Sequence, residues 1–136
     1  MNITFYGHAC FGIQINGTHI LVDPFISGNP KASHIEIDSL KADYILITHA
    51  HQDHVLDVEK IAQNTGAIIV SNFEIVNYFI TKNLKGFHLN HGGTFKTEHF
   101  SAKYVNAIHT SSFADGTYGG QPGGFVLTAK DKSIYI

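Results

Sequence analysis

The stretch Asp43-Tyr44-Ile45-Leu46-Ile47-Thr48-His49-Ala50-His51-Gln52-Asp53-His54 decides how this chain folds and where its chemistry lies. Residues 43–47 form a largely apolar run, the kind found in strands that are buried on both faces of a layered sheet. The six residues from His49 to His54 hold three histidines and one aspartate directly after that strand. Imidazole nitrogens and a carboxylate oxygen are the ligands that borderline cations such as zinc prefer. The segment therefore predicts a buried strand with a metal-binding loop at its carboxyl end.

The spacing within this loop favours two adjacent cations. A turn that leaves the strand can aim His49 and His51 at one point, whereas Asp53 and His54 can aim at a second point nearby. Two adjacent metal ions can hold a hydroxide nucleophile and stabilise the charge that develops on a substrate. The alternative is a solvated, histidine-rich loop, or a helix start capped by Asp53, with no metal at all.

Strand-forming patterns precede the loop. Three short runs rich in β-branched and aromatic residues cover residues 3–6, 11–15 and 19–22. Asn16-Gly17 lies between the last two runs, where a tight hairpin turn is expected. Asp23-Pro24 ends the third run, and a loop rich in Gly, Asn and Pro follows.

Helices alternate with strands after the loop. Apolar residues at helical spacing between Val55 and Ala62 predict a helix that stops at Gly66. A strand over residues 67–70 follows, and Asn72 can cap a second helix. The apolar face of the second helix is predicted to hold Ile75, Val76, Phe79 and Ile80. From Phe87 onward the pattern returns to strands, over residues 94–96, 99–108, 124–129 and 133–136.

This mixture indicates an α/β (α+β) fold in which helices cover sheets. The 136 residues are 43% hydrophobic and 15% charged, so we expect one globular domain over residues 1–136. The formal net charge of -2 and nine basic residues predict no binding of nucleic acid. The single Cys10 cannot form an internal disulfide, and it is expected to be a small apolar filler. With no signal-peptide profile at the start and no apolar run that could span a bilayer, we expect a cytoplasmic protein that does not enter a membrane.

The loop matches the His-x-His-x-Asp-His signature of the metallo-β-lactamase superfamily. Further stretches resemble one branch of it, the small bacterial and archaeal metal-dependent hydrolases related to ascorbate-phosphate lactonase. These stretches occur in the same order as in that branch and extend over essentially the whole chain. The matching stretches are residues 7–11, 21–25, 28–30, 90–94, 107–112 and 115–125.

The resemblance implies a ligand set. It assigns His49, His51 and His109 to a first metal ion, and Asp53 and His54 to a second ion and to catalysis. Up to two divalent ions are expected in the complete site. Zinc suits the nitrogen-rich first site best, and manganese or iron would also suit a second site that contains a carboxylate.

Two roles are possible for each of several other residues near the loop. Asp23 could accept a hydrogen bond from a ligand imidazole and fix its tautomer, or it could be a turn residue before Pro24. His8 could line the same cavity, or it could be a half-buried histidine at a strand end. Residues 115–124 could form a lid, although the glycine pairs in this part of the chain are most simply turns. The other histidines are expected on the surface or in loops; they are His19, His34, His88, His91 and His99.

The resemblance also implies a four-layer αββα sandwich, of which this chain corresponds to the N-terminal half to two-thirds. In the family, an aspartate that bridges both metals and a further histidine follow the position of Ile136. Half a sandwich is expected to leave an apolar sheet face exposed. We therefore expect one of three situations: a truncated gene product, a complementary C-terminal fragment that covers that face, or a homo-oligomer that covers it.

Three functions are compatible with these observations. The first is a metal-dependent hydrolase that uses activated water on an ester, lactone or phosphodiester of a small molecule. The second is a metal-binding half-domain that is non-catalytic or requires a partner. The third is an RNA- or DNA-processing nuclease of the same superfamily, which the net charge of -2 disfavours.

Overall fold

Ten strands and three short helices make up the computed structural model, which describes residues 1–136. The strands are β1 (Asn2–Gly7), β2 (Cys10–Ile15), β3 (Thr18–Val22), β4 (Tyr44–Leu46), β5 (Ile68–Asn72), β6 (Gly86–Leu89), β7 (Thr94–Lys96), β8 (Ser101–Asn106), β9 (Gly123–Ala129) and β10 (Lys132–Tyr135). The α-helices are α1 (Gln52–Val55), α2 (Val58–Thr65) and α3 (Phe73–Ile80). Two single 3-10 turns lie at Pro30–Ala32 and Ile37–Ser39. None of the helices has the length and apolar character needed to cross a membrane.

The strands form two sheets. The first has the order β1-β2-β3-β4-β5-β6, with antiparallel pairing from β1 to β3 and parallel pairing from β3 to β6. The second is antiparallel, in the order β10-β9-β8-β7. Because β1, β3, β4 and β5 all run in the same direction, their carboxyl ends meet at one edge of the first sheet. The loops at this edge carry all residues of the candidate site except His109, which follows β8 of the second sheet.

The first sheet is covered on both faces. Helix residues such as Ile61 and Val76 pack with Ile45 and Ile69 on one face. On the other face, Phe125 and Leu127 of the second sheet pack in one cluster with strands of the first sheet. Three layers of the expected αββα sandwich are therefore present, and the mixed α/β fold class is confirmed.

The expected exposure of an apolar sheet face is wrong for most of the first sheet, because β7 to β10 already cover it. The exposure that remains lies on the two edge strands: Ile3 and Phe5 of β1 are 54% and 63% exposed, and Phe87 of β6 is 44% exposed. On the outer face of β10, Tyr135 is exposed as well.

Local signals predicted the ends of two helices correctly. Gly66 ends α2 in the left-handed conformation, with φ of 73°. The side chain of Asn72 caps α3 by accepting a hydrogen bond from the Ile75 amide.

Three predictions from local pattern differ from the structure. The helix predicted from Val55 to Ala62 is broken at Asp57, which leaves the separate helices α1 and α2. The strand predicted over residues 99–108 is shorter and ends at Asn106. Ile80, placed on the buried face of α3, is 40% exposed because it lies at the last turn of the helix.

Candidate metal centre

Three histidine rings converge beyond the carboxyl end of β4. His49 and His51 leave this strand directly, and His109 comes from the bend that follows β8. Nε2 of His49 lies 3.1 Å from Nδ1 of His51. The ring of His109 lies 4.7 Å from that of His49 and 5.0 Å from that of His51, measured between centroids. One nitrogen from each ring falls within 4.8 Å of the others, so the three can face one point.

A second group of donor atoms adjoins the first. It consists of His8, Asp53 and His54, whose ligand atoms also lie within 4.8 Å of one another. The two groups are in contact, because the rings of His49 and His54 are 3.9 Å apart. Each group extends to the surface, because His109 in the first group and His8 in the second are exposed, whereas His49 is buried.

One carboxylate, that of Asp23, connects the two groups from outside. Asp23 follows β3, is 1% exposed, and accepts hydrogen bonds from the Thr48 amide and from the Thr48 hydroxyl, at 2.8 Å and 2.6 Å. The oxygen that binds the Thr48 hydroxyl also lies 2.9 Å from Nδ1 of His54. The backbone of Asp23 is left-handed, with φ of 43°, which aims the carboxylate back under the loop.

These contacts select the tautomers of two rings. The Thr48 hydroxyl proton is directed at Asp23, so its oxygen accepts from Nδ1 of His49, which lies 2.9 Å away. Nδ1 of His54 donates to Asp23 directly. In both rings the proton is held on Nδ1, and Nε2 presents its lone pair to the cluster when the ring is neutral. Fixing a ligand ring in this way is the usual task of outer carboxylates around a metal.

The electrostatics differ between the two groups. Burial lowers the pKa of His49 to about 3, and the nearby rings of His54, His51 and His109 act in the same direction. Burial also acts to lower the pKa of His54, but the hydrogen bond and charge of Asp23 outweigh it, and the pKa lies above its ordinary value. Partial burial acts to raise the pKa of Asp53, but its backbone hydrogen bond and the nearby His54 and His8 hold it below its ordinary value. His49 is thus neutral and can donate a nitrogen lone pair, and the second group carries a carboxylate.

The donor chemistry fits a divalent cation. Zinc bonds of about 2.0–2.1 Å in a tetrahedral site place ligand atoms about 3.4 Å apart. The 3.1 Å between the facing nitrogens of His49 and His51 is close to that spacing. The loop after β4, helix α1 and the bend after β8 therefore bring together all five residues that the resemblance assigned to metal ions.

The second sheet fixes the position of the loop. Tyr104 of β8 is fully buried, and its hydroxyl lies 2.9 Å from the carbonyl of Thr48 and 3.1 Å from that of Gln121. The Gly123 amide donates to the same Thr48 carbonyl. Ser111 accepts from the Ala50 amide and donates to Gly119. The proposed lid over residues 115–124 is thus bound at its carboxyl side to the segment that carries the ligands.

Sequence reasoning missed Asp57 and Tyr104. Asp57 is 4% exposed, and its carboxylate accepts from the amides of Ile26 and Ser27 and from the Ser27 hydroxyl. It thereby anchors the loop that follows Asp23. An aspartate three residues beyond His54 was the available signal, but its partners lie about thirty residues earlier, which no local pattern reveals.

Known proteins resemble the chain along its whole length. It is 62% identical over 136 residues to a UPF0173 metal-dependent hydrolase of Flavobacterium johnsoniae, and 58% identical over 137 residues to one of Christiangramia forsetii. Both matches extend over 100% of this chain, but over only 60% and 61% of the length of the two relatives. The chain therefore spans about three fifths of the length of these relatives.

A solved structure shares the fold. Igni18, a metallo hydrolase from the hyperthermophilic archaeon Ignicoccus hospitalis, superposes with a TM-score of 0.84 at 30% identity. The match covers 98% of this chain and 58% of Igni18. The family model described as "Beta-lactamase superfamily domain" matches residues 2–135. The resemblance seen in the sequence is thus confirmed: the chain belongs to the β-lactamase superfamily domain family, alongside the UPF0173 metal-dependent hydrolases.

Proposed function

We propose that this chain is the metal-binding portion of a metal-dependent hydrolase that acts on an ester, lactone or phosphodiester of a small molecule. The observation that carries the proposal is the pair of adjoining donor groups, three imidazoles beside an Asp and two His, joined through Asp23. The relatives at 62% and 58% identity are named metal-dependent hydrolases, which supports the same reaction class.

The proposed ligands are His49, His51 and His109 for a first ion, with Asp53 and His54 at a second. A bound divalent ion would supply Lewis acidity, which lowers the pKa of water and polarises a carbonyl or phosphoryl oxygen. Asp53 is 47% exposed and faces solvent, so its carboxylate can orient the attacking water. Zinc is the ion we propose for the first position, because its three donors are all imidazole nitrogens.

The surface favours a small substrate over a nucleic acid. Nine basic residues are offset by eleven acidic ones, so the chain lacks the excess of cations that phosphate backbones require. Ile108, next to His109 in the chain, is fully exposed and gives an apolar side chain beside the first donor group. We also propose a cytoplasmic location, supported by the single buried Cys10.

The second candidate is a metal-binding portion that needs a partner for turnover. It is favoured by one observation, the exposed apolar side chains of Ile3 and Phe5 on the edge strand β1. The partner would be the remaining part of such a hydrolase, or a second copy of this chain that covers Ile3 and Phe5.

The test compares hydrolysis and metal content in the same samples. The chain, a His49→Ala variant and a His34→Ala control would be loaded with zinc and assayed on activated esters, lactones and phosphodiesters. His34 is an exposed histidine away from the donor groups. Each sample would be assayed alone and with the C-terminal two fifths of the Flavobacterium relative as a separate polypeptide.

Hydrolysis that is lost in His49→Ala and kept in His34→Ala is the expected result. Turnover only with the added polypeptide would favour the second candidate. Equal turnover in His49→Ala and the unaltered chain would contradict a role of this site in hydrolysis.

A further inference from the structure

Resting on the proposed function, we propose that His8 is a third ligand of the second cation, completing a site with Asp53 and His54. Catalytic zinc sites use three protein ligands and leave one position open, and His8, Asp53 and His54 form one group of three donors. From the sequence alone, His8 could line the cavity or be a half-buried histidine at a strand end, and no ligand role is assigned to it because it lies more than forty residues before the loop.

The donor atoms of the three residues have metal-site spacing. Nε2 of His8 lies 2.9 Å from Oδ2 of Asp53, and Nε2 of His54 lies 4.0 Å from the same oxygen. These distances lie on either side of the roughly 3.4 Å expected between neighbouring ligands in a tetrahedral zinc site. His54 is already oriented for this purpose, because its Nδ1 is engaged by Asp23 and its Nε2 faces Asp53.

The backbone around His8 is shaped to bring its ring to this point. His8 follows β1, whose carboxyl end lies at the same edge of the sheet as the ends of β3 and β4. Its φ of 55° is left-handed, a conformation that is uncommon outside glycine. The ring packs edge-on against Phe25 at 5.7 Å and against His54 at 5.2 Å. His8 thus has an uncommon backbone conformation, and its ring packs against two neighbouring rings. These features suit a metal ligand with a fixed position better than a mobile surface side chain.

The competing role for His8 is that of an outer partner, a histidine that only donates a hydrogen bond to Asp53. Both roles predict weaker binding of the second ion when His8 is replaced, since outer partners also change metal affinity by about 10- to 100-fold. The decisive observation is therefore a direct bond between the ion and the imidazole nitrogen of His8.

Cadmium NMR spectroscopy on the full 136-residue chain provides that observation. Cadmium would be titrated as a stand-in for zinc into protein with nitrogen-labelled histidine, and one-bond coupling between cadmium and ring nitrogens would be recorded. His8→Gln would assign the His8 signal, and His34→Gln would be the control. Affinities for the two ions would be measured alongside by calorimetry.

The expected result is two bound ions, with the second coupled to His8 and His54. His8→Gln should remove one coupling and weaken the second ion at least about tenfold, with the first ion unchanged. Coupling to His49, His51 and His109 without any to His8 would overturn this inference and leave the proposed function standing. Failure to bind any ion would overturn both.

Discussion

Oδ2 of Asp23 lies 2.9 Å from Nδ1 of His54 and also accepts the Thr48 hydroxyl at 2.6 Å. Through Thr48 the same oxygen orients His49, so one buried carboxylate controls a ring in each donor group. The two groups are therefore expected to respond together when this carboxylate is changed.

Asp23→Asn should weaken the binding of both metal ions by about 10- to 100-fold, because an amide nitrogen cannot accept from Thr48 and His54. The measurement is competition for zinc against a chromophoric chelator. Asp115→Asn, in an exposed turn, is the matched control and should bind like the unaltered chain. Unchanged affinity in Asp23→Asn would contradict the role given to this carboxylate.

The stability of the metal-free chain should depend on pH through His49. Its pKa is lowered by burial from 6.5 to about 3, so below pH 6.5 the unfolded chain takes up a proton that the folded chain resists. This group therefore leaves stability unchanged above pH 6.5 and lowers it progressively as the pH falls from 6.5 toward 3.

The check is the free energy of unfolding in urea, with a chelator present, at several pH values. A His49→Gln variant cannot take up that proton, so its stability should fall less steeply over the same interval. Parallel pH profiles for the two proteins would show that His49 does not carry this effect.

Cys10 should be nearly inert in the folded chain. Its side chain is fully buried, and burial raises the pKa of the thiol to about 12. Roughly one thiol in ten thousand is then ionised at pH 8, and the thiolate is the form that reacts. Alkylation should be at least about 100-fold slower in the folded chain than in urea. The exposed thiol of a Ser133→Cys variant is the control, and equal rates at the two positions would contradict the burial of Cys10.

Asp57→Asn should lower the free energy of unfolding by about 1–3 kcal/mol, because an amide leaves the buried amide of Ile26 and the partly buried donors of Ser27 without a full acceptor. Urea denaturation measures the change, with Asp131→Asn in the exposed turn before β10 as the control. A loss no larger than that of the control would show that the loop after Asp23 does not depend on Asp57.

The sequence predicted the parts of the molecule that local pattern determines. The apolar run before His49 became β4, and Gly66 and Asn72 ended and began helices as their chemistry requires. The grouping of His49, His51, Asp53 and His54 followed from their spacing, because the loop follows a strand. The family assignment extended this to His109.

Features that depend on distant contacts were not predictable in the same way. The break between α1 and α2 at Asp57 reflects a carboxylate turned toward a loop about thirty residues earlier. The contact between His8 and Asp53 requires knowing that β1 and β4 end at the same sheet edge. The hydrogen bond from the Tyr104 hydroxyl to the Thr48 carbonyl forms only because one sheet packs on the other. That residues 1–136 fold as one domain stays a prediction.

The most direct test of the central claim, that the histidine cluster binds metal, is metal content by elemental analysis on the purified chain, with the intact mass checked on the same sample. The comparison is a His49→Ala/His51→Ala double variant. We predict two ions per chain after zinc loading, and loss of the first ion in the double variant. An unaltered chain that holds no ion, or the same metal content in both proteins, would contradict the account.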